Sequence, residues 1–194
     1  MSQPLTIPLK ETVFDKEKPL VISRESIEYK NASLSKFDVD EIRYGVRFIR
    51  GYSFYIGRIY CIDVKSHSGT IMKIRLKSLY GIRRKRLYKK YSIIVDALWE
   101  NYMRDVAENF INFYKNKIDF DLLGIIFSQA GIQLSKQSDL IPWEDVGTKN
   151  YSRYYAIFSK ENPNNYKAFY YLEDWNTSIL YYVSRSILKA KKLA

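Results

Sequence analysis

Apolar and polar residues alternate along much of the chain, a two-residue period typical of β-strands with one buried face. Residues 20–22 and 27–29 read as a hairpin around the polar residues 23–25. Further strands are expected at residues 34–48, 52–64 and 70–76, with residues 6–14 as an edge strand or a loose arm. Phe37, Val39 and Ile42 are the expected inward residues of the second region. The strand at 70–76 is expected to have one basic face.

Between residues 82 and 114 the spacing of apolar residues lengthens to three and four, which predicts an amphipathic helix. These positions are Ile94, Leu98, Trp99, Tyr102, Met103, Val106, Phe110 and Phe113. The segment is long for a helix of a globular protein, which allows a bend within it.

The second half of the chain follows a similar order. Residues 125–127 and 132–134 predict a hairpin about Ala130 and Gly131. Strands are then expected at residues 140–146, 154–159 and 166–172. A final helix is predicted through Leu188, with Asp174 or Asn176 as its capping residue.

Two segments of the sequence recur. Residues 19–29 match residues 124–134, and residues 37–42 recur, one residue out of register, as residues 141–146. A repeat of this size predicts two units of shared architecture. The expected fold is α+β, with two repeated antiparallel strand-meander units, 1–117 and 118–194, each closed by a C-terminal amphipathic helix. Residues 116–119 are too few for a linker, so the units are expected to pack as one body.

The second copy of the recurring motif has a distinctive composition. Residues 141–146 combine an apolar residue, Trp143, an acid and the branched apolar Val146. This segment is similar to the second-strand motif of bacterial pleckstrin-homology-like domains, although the first copy has Val39 in place of the tryptophan. The resemblance implies a binding or scaffold module for peptides or lipids, and it assigns no binding residue. Trp143, Trp99 and Ile94 are expected in the core.

Composition narrows the class of protein. Hydrophobic residues make up 46% of the 194, too many for a disordered chain. Cys61 is the only cysteine, which excludes an intrachain disulfide and a cysteine zinc cluster and favours a reducing compartment. The first ten residues do not resemble a secretory signal, and no apolar run reaches the roughly 18–20 residues of a membrane span. A cytoplasmic protein is therefore predicted.

Positive charge is concentrated in the first part of the chain. The net charge is +11, and residues 43–90 hold fourteen Lys and Arg against one acid, Asp63. A candidate binding site stands out at the start of the predicted helix, with Tyr80, Tyr88 and Tyr91 interspersed. Its basic residues are Arg83, Arg84, Lys85, Arg86, Lys89 and Lys90. Such a cluster suits phosphates, bases or an anionic membrane, or is simply a solvated helix face.

Residues suited to catalysis are few. His67 stands among small polar residues typical of an exposed turn, and Cys61 lies in an apolar run typical of burial. The acidic pairs at 40–41, 144–145 and 173–174 are adjacent, so on a strand their side chains point to opposite faces. No phosphate-binding glycine loop or metal-ligand spacing is present. No catalytic residue, cofactor or metal is therefore predicted.

These observations favour a non-enzymatic binding or scaffold module. Its expected partner is acidic, either a protein segment or an anionic lipid headgroup. The alternative is a nucleic-acid-binding protein that uses the basic face of residues 43–90.

Overall fold

A computed structural model describes residues 4–10 and 16–193 of the chain. Within these residues the protein is mostly β: fourteen strands form four antiparallel sheets, joined by a long helical segment and a C-terminal helix. The chain divides into two compact units, the first ending at Met103 and the second beginning at Arg104.

The first sheet has the strand order β1-β2-β3-β4. Its strands are β1 Leu5–Leu9, β2 Lys18–Ile22, β3 Ser26–Tyr29 and β4 Ala32–Ser35. Alternate residues such as Leu20, Ile22 and Ile27 are buried, as expected for strands with one apolar face. Pairing of β2 with β3 confirms the predicted hairpin. The edge strand expected at 6–14 forms as β1, and residues 11–14 lie outside the described part of the chain.

The second sheet has the order β5-β6-β7, with β6 in the centre. Its strands are β5 Val39–Arg50, β6 Tyr55–Ser66 and β7 Ile71–Leu79. Met72, Ile74 and Leu76 of β7 are buried, whereas the basic residues between them point to the opposite face. The predicted strand with one basic face is thus confirmed.

Phe37 does not point inward, and that prediction is wrong. It lies in a short 3₁₀ helix, Lys36–Asp38, and is 90% exposed. The Ser35 side chain accepts a hydrogen bond from the Asp38 backbone N–H and so caps this turn. Because this turn precedes β5, Phe37 is not part of a strand, and the alternation of buried and exposed residues along a strand does not apply to it. Ile42, within β5, is buried as expected.

The predicted helix consists of three parts. Helix α1 is Arg84–Leu98, a π-helical turn spans Trp99–Met103, and helix α2 is Arg104–Lys115. Ile94, Leu98, Tyr102 and Met103 are buried, as their spacing predicted. The wider π-helical turn shifts the phase of the helix by a residue, since it contains more than 3.6 residues per turn.

Four of the expected inward positions of this segment are not fully buried. Val106 and Phe113 are exposed, contrary to prediction, and Trp99 and Phe110 are half-buried. Both exposed residues follow the π-helical turn, where a single 3.6-residue period carried through from α1 no longer selects the buried face.

The second unit contains a four-stranded and a three-stranded sheet, in the orders β11-β10-β9-β8 and β12-β13-β14. The strands are β8 Phe120–Leu122, β9 Ile125–Phe127, β10 Gly131–Gln133, β11 Ile141–Pro142, β12 Val146–Asn150, β13 Tyr154–Ser159 and β14 Tyr166–Tyr170. Pairing of β9 with β10 confirms the second predicted hairpin. Trp143 is buried as predicted, and its indole N–H donates to the Ser128 carbonyl at 3.0 Å.

The C-terminal helix α3, Thr177–Ala190, is present, but its start differs from expectation. Asn176 is the N-cap residue with a left-handed backbone (φ 54°), and its side chain makes no capping hydrogen bond. Capping side chains usually belong to residues with extended backbones, a conformation that Asn176 does not adopt. Asp174 accepts a hydrogen bond from the Tyr170 N–H at 2.6 Å, outside the helix.

The predicted fold of two repeated strand-meander units, each closed by a helix, is wrong. The chain forms four separate antiparallel sheets, and its long helical segment belongs partly to the first unit and partly to the second. The recurring motif also takes two different structures. Residues 37–42 form the 3₁₀ turn and the start of the twelve-residue β5, whereas Ile141 and Pro142 pair with β10 in a four-stranded sheet. Phe37 is 90% exposed and its counterpart Ile141 only 3%.

Candidate functional site

The loop between β7 and α1 brings the predicted basic cluster to one end of the first unit. Tyr80, Gly81 and Arg83 all have left-handed backbones, with φ of 50°, 76° and 59°, so the chain turns sharply into the helix. The Ser78 hydroxyl donates to the Ile82 carbonyl at 2.9 Å and closes the turn.

The same loop is joined to the β5–β6 hairpin. The Tyr80 N–H donates to the Ile56 carbonyl at 2.7 Å. At the tip of that hairpin, the Gly51 N–H donates to the Phe54 carbonyl at 2.7 Å and closes a tight loop. Two loops of the first unit therefore lie side by side, and both carry aromatic residues.

Most of the cluster's cations are solvent-exposed. Arg84, Lys85, Arg86 and Lys89 are exposed and Arg83 is half-exposed. No acid occupies the first turn of α1, so these charges lie at the positive end of the helix dipole without a neutralising side chain in that turn. An anion at this end would therefore be favoured by both the side chains and the helix.

Lys90 has a different position from the other five. Its ammonium group donates a hydrogen bond to the Pro8 carbonyl, which fixes it against β1. Partial burial lowers the pKa of Lys90, and the nearby charges of Arg86 and Arg83 lower it further, although Glu17 raises it. Lys90 is therefore engaged within the fold, and the other five cations make up the accessible part of the predicted site.

A cleft of about 300 Å³ opens between the two loops. It is lined by Phe48, Phe54, Tyr55, Ile56, Gly57, Arg58, Ser78, Tyr80, Gly81 and Arg84. The rings of Phe48 and Tyr55 lie 5.4 Å apart, and the Arg58 guanidinium carbon lies 5.3 Å from the Phe48 ring centre. The cleft thus combines aromatic walls with two cations, Arg58 and Arg84.

The tip of the β5–β6 hairpin was not predicted as part of a site. Tyr52 is fully exposed, Phe54 is 65% exposed and Tyr80 is 73% exposed. We call the surface formed by residues 51–55 and 80–89 the loop end of the first unit. The signal in the sequence was the run Tyr52-Ser53-Phe54-Tyr55 after Gly51, which was interpreted as the start of a strand.

The three tyrosines within the cluster differ in their exposure to solvent. Tyr80 and Tyr88 are exposed. Tyr91 packs with Tyr44 and Tyr60, at ring-centre distances of 6.5 and 5.2 Å, and burial raises its pKa far above the ordinary value. Tyr91 is therefore half-buried against β5 and β6 and is not part of the exposed surface of the cluster.

The remaining basic residues lie mainly on the outer face of the β5–β6–β7 sheet. Arg43 and Arg75 both pair with the buried Asp63, at 3.0 Å from Nε to Oδ2 and 2.5 Å from Nη2 to Oδ1. Lys65 pairs with Glu41 at 2.6 Å, and this bond raises the pKa of Lys65. Other cations of this face are exposed: Arg47, Lys73 and Lys77. The basic residues of 43–90 are thus divided between this face and the loop end.

His67 and Cys61, the two residues considered for catalysis, lie in an exposed turn and in a buried strand. His67 lies in the exposed turn after β6, with its Nδ1 3.4 Å from Asp40 Oδ1. Cys61 is buried, and burial raises the pKa of its thiol, which disfavours the reactive thiolate. Among the described residues, no three His, Cys, Asp or Glu side chains form a group able to hold a metal ion.

Each of the three acidic pairs includes a carboxylate with a structural partner, and that of Asp174 is the Tyr170 N–H. The Asp145 carboxylate accepts hydrogen bonds from the Ser159 hydroxyl and, at 2.6 Å, from the Glu161 N–H. Asp40 and Glu41 lie within β5, and Glu41 is paired with Lys65. These carboxylates therefore stabilise the local fold.

The chain matches no family model, no curated protein and no solved structure. The resemblance to pleckstrin-homology-like domains therefore stays a prediction. No helix in the described part of the chain is long and apolar enough to cross a membrane.

Proposed function

We propose that the chain is a non-enzymatic binding module, and that the loop end of its first unit binds an anionic lipid surface. The observation that supports this proposal best is the combination of exposed rings and exposed cations at one end of one unit. Tyr52, Phe54 and Tyr80 are exposed on the two adjoining loops, Arg84 lines the same cleft as Phe54 and Tyr80, and the exposed Lys85 follows it in α1.

The charges and the rings have separate roles. Each Lys or Arg close to an anionic bilayer contributes about 1 kcal/mol, so four exposed cations contribute about 4 kcal/mol. This free energy corresponds to an affinity of only about 1 mM. Aromatic rings with a polar edge suit the headgroup region of a bilayer, and burying apolar side chains there adds about 1.5–3 kcal/mol each. Stable attachment therefore requires both parts of the loop end.

The predicted cytoplasmic location agrees with such a role. The cytoplasmic leaflet carries anionic lipids and has a negative surface potential that attracts basic segments. A protein in that compartment with this loop end would meet an oppositely charged surface.

One observation favours nucleic acid as a second candidate. The paired rings of Phe48 and Tyr55 beside Arg58 offer a place for a base to stack and for a phosphate to pair. An acidic protein segment is the third possible occupant of the same cations. These partners are separated by selectivity, because salt weakens binding to all of them.

The proposal is tested by vesicle flotation with the full chain. Vesicles of phosphatidylcholine alone are compared with vesicles that also contain phosphatidylserine. We expect the protein to float only with the anionic vesicles, and binding to fall about tenfold or more in both Tyr52→Ser/Phe54→Ser and Arg84→Ser/Lys85→Ser, since each variant loses two contacts.

Phe37→Ser and Lys73→Ser/Lys77→Ser are matched controls. Phe37 is as exposed as the loop rings but precedes β5, whose twelve residues separate it from the loop end by about 40 Å. Both controls should float like the parent. Equal flotation of the loop variants, or binding to neutral vesicles, would show the proposal to be wrong. The nucleic-acid function would be supported instead if oligothymidylate displaced the protein from vesicles and Tyr55→Ser no longer bound oligothymidylate.

A further inference from the structure

Strand β7 lies at the edge of the three-stranded sheet in the first unit. Along its length its backbone pairs with β6, and among the described residues it has no backbone partner on its other side. An exposed sheet edge of this kind is a template for another strand.

The register shows which residues present their backbone to that open edge. The Ser66 N–H bonds to the Thr70 carbonyl at one end of the β6–β7 pair, and the Tyr80 N–H bonds to the Ile56 carbonyl at the other. Bonded pairs alternate with non-bonded pairs in an antiparallel ladder. Counting from either end, Met72, Ile74 and Leu76 bond to β6. The residues between them therefore direct their N–H and C=O groups away from β6.

The residues that face the open edge are also the basic ones. Lys73, Arg75 and Lys77 alternate with the buried residues of β7, so their side chains share the outer face of the sheet. Arg75 is held by Asp63 and by the Ile62 and Ile74 carbonyls, at 3.0 and 2.9 Å from its Nη1. Lys73 and Lys77 are exposed and have no ion-pair partner among the described residues.

We infer that the edge of β7 binds an extended acidic segment of another protein, which adds a strand to the sheet. In an antiparallel pair, residues that exchange hydrogen bonds lie directly opposite and their side chains share a face. A segment paired with β7 would place alternate residues beside Lys73, Arg75 and Lys77. Acidic residues four positions apart would match Lys73 and Lys77, which are about 13 Å apart along the strand.

The composition of the outer face favours a protein segment over nucleic acid. Its residues on β6 and β7 are those at the odd-numbered positions 57–65 and 71–79, which are charged, aliphatic, glycine or cysteine. None of these is aromatic, so this face has no ring on which a base could stack. The surface is separate from the loop end, and either proposal can fail alone.

The lysines have a second possible role, because charged residues on an edge strand prevent sheets from pairing with copies of themselves. In that case Lys73→Gln/Lys77→Gln would promote association of the protein without changing its affinity for an acidic strand. Light scattering measures the first effect and peptide titration the second.

The experiment uses a short fluorescent peptide in which Glu and Thr alternate, titrated with the full chain and followed by anisotropy. A peptide of the same composition with its glutamates grouped in one half is the comparison. We expect the alternating peptide to bind about tenfold more tightly, and Lys73→Gln/Lys77→Gln to lose about tenfold of that affinity. Arg84→Ser/Lys85→Ser removes the same charge at the loop end and should stay within about twofold of the parent.

Strand pairing itself is tested by N-methylation of the alternating peptide. Methyl groups on every second amide block hydrogen bonds from one edge and leave the charges unchanged. Methylation of one alternate set should abolish binding, and methylation of the other set should leave it intact. Three outcomes would overturn the inference. The first is equal affinity of both methylated peptides, and the second is an unchanged peptide affinity of Lys73→Gln/Lys77→Gln. The third is displacement of the peptide by oligothymidylate, with the lysine variant losing as much affinity for oligothymidylate as for the peptide.

Discussion

At the scale of single residues, Asp145 illustrates how one carboxylate holds a corner of the second unit. It stands just before β12, and its bonds from Ser159 and Glu161 tie that point to the end of β13 and the residues that follow. The Lys160 N–H also bonds to its carbonyl at 2.8 Å. The Ser159 bond, together with the backbone N–H groups, lowers the pKa of Asp145 below its ordinary value.

This lowered pKa predicts a dependence of stability on pH. The ionised carboxylate stabilises the folded state above the ordinary value of 3.8, and that stabilisation is lost as the pH falls through the lower folded pKa. Asp145→Asn should therefore unfold at a lower urea concentration than the parent at neutral pH, and the difference should shrink in acid. Urea midpoints measured across acidic and neutral pH check this. Glu144→Gln, at the exposed neighbour, is the control, and a constant difference at all pH values would contradict the assignment.

Trp143 carries a second residue-scale prediction. Its ring lies 5.6 Å from that of Tyr114 and 6.2 Å from that of Phe127, and its N–H bonds to Ser128. Trp143→Ala should lower the free energy of unfolding by about 3–5 kcal/mol, since it leaves a cavity and an unpaired carbonyl. Trp143→Phe keeps a ring and should cost less. Denaturation by urea measures both, and a loss under about 1 kcal/mol in the alanine variant would show that the ring is not a core residue.

Trp143 and Phe37 show how far the sequence predicts whether an individual aromatic residue is buried. Trp143 was predicted to be buried because tryptophan has a large apolar ring, which is stabilised in a core where its N–H group has a hydrogen-bond acceptor. Phe37 has the same apolar character and is exposed, because a 3₁₀ turn changes the direction of the chain there. Hydrophobicity alone does not separate a core ring from an exposed one, and for this reason the exposed rings of Tyr52 and Phe54 were missed.

At the scale of elements, hairpins were the most predictable part of the fold. Residues 20–29 and 125–134 pair with near neighbours, so their alternation and turn residues contain the necessary information. The strand expected at 140–146 forms only at Ile141–Pro142, because Trp143 to Asp145 turn out of the sheet. Which sheet a short strand joins depends on distant partners, and this was not readable from a local period.

The start of α1 carries a prediction of its own. Arg84, Lys85 and Arg86 form its first turn, where the helix dipole favours negative charge. Lys85→Glu should therefore raise the free energy of unfolding by about 0.3–1 kcal/mol at low salt, and the gain should decline as salt is added. Lys89→Glu lies beyond the first turn and is the matched control. Equal effects of both variants would mean that general repulsion within the cluster, and not the dipole, is responsible.

At the scale of the whole molecule, the concentration of positive charge was visible in the sequence, and its distribution over the surface was not. The excess of cations in residues 43–90 was visible as a count. Its division into an outer sheet face and a loop end follows from strand register, which places Lys73 and Lys77 on one face and Arg84 and Lys85 beyond the end of β7. A charge count predicts an acidic partner in general, whereas the register separates two surfaces, for which we propose different partners.

The two compact units predict two separate regions of slow hydrogen exchange. Strand β6 is central in its sheet, and Tyr60, Ile62 and Val64 are almost fully buried; β13 is central in its own, with Tyr155 and Ile157 buried. Amides in central, buried strands exchange only when a large part of the structure opens. Exchange followed by mass spectrometry should therefore be slowest in peptides from β6 and β13 and much faster in the edge strand β14. If only one of the two central strands were protected, the other unit would lack a stable core of its own, and the division of the chain after Met103 would not describe its stability.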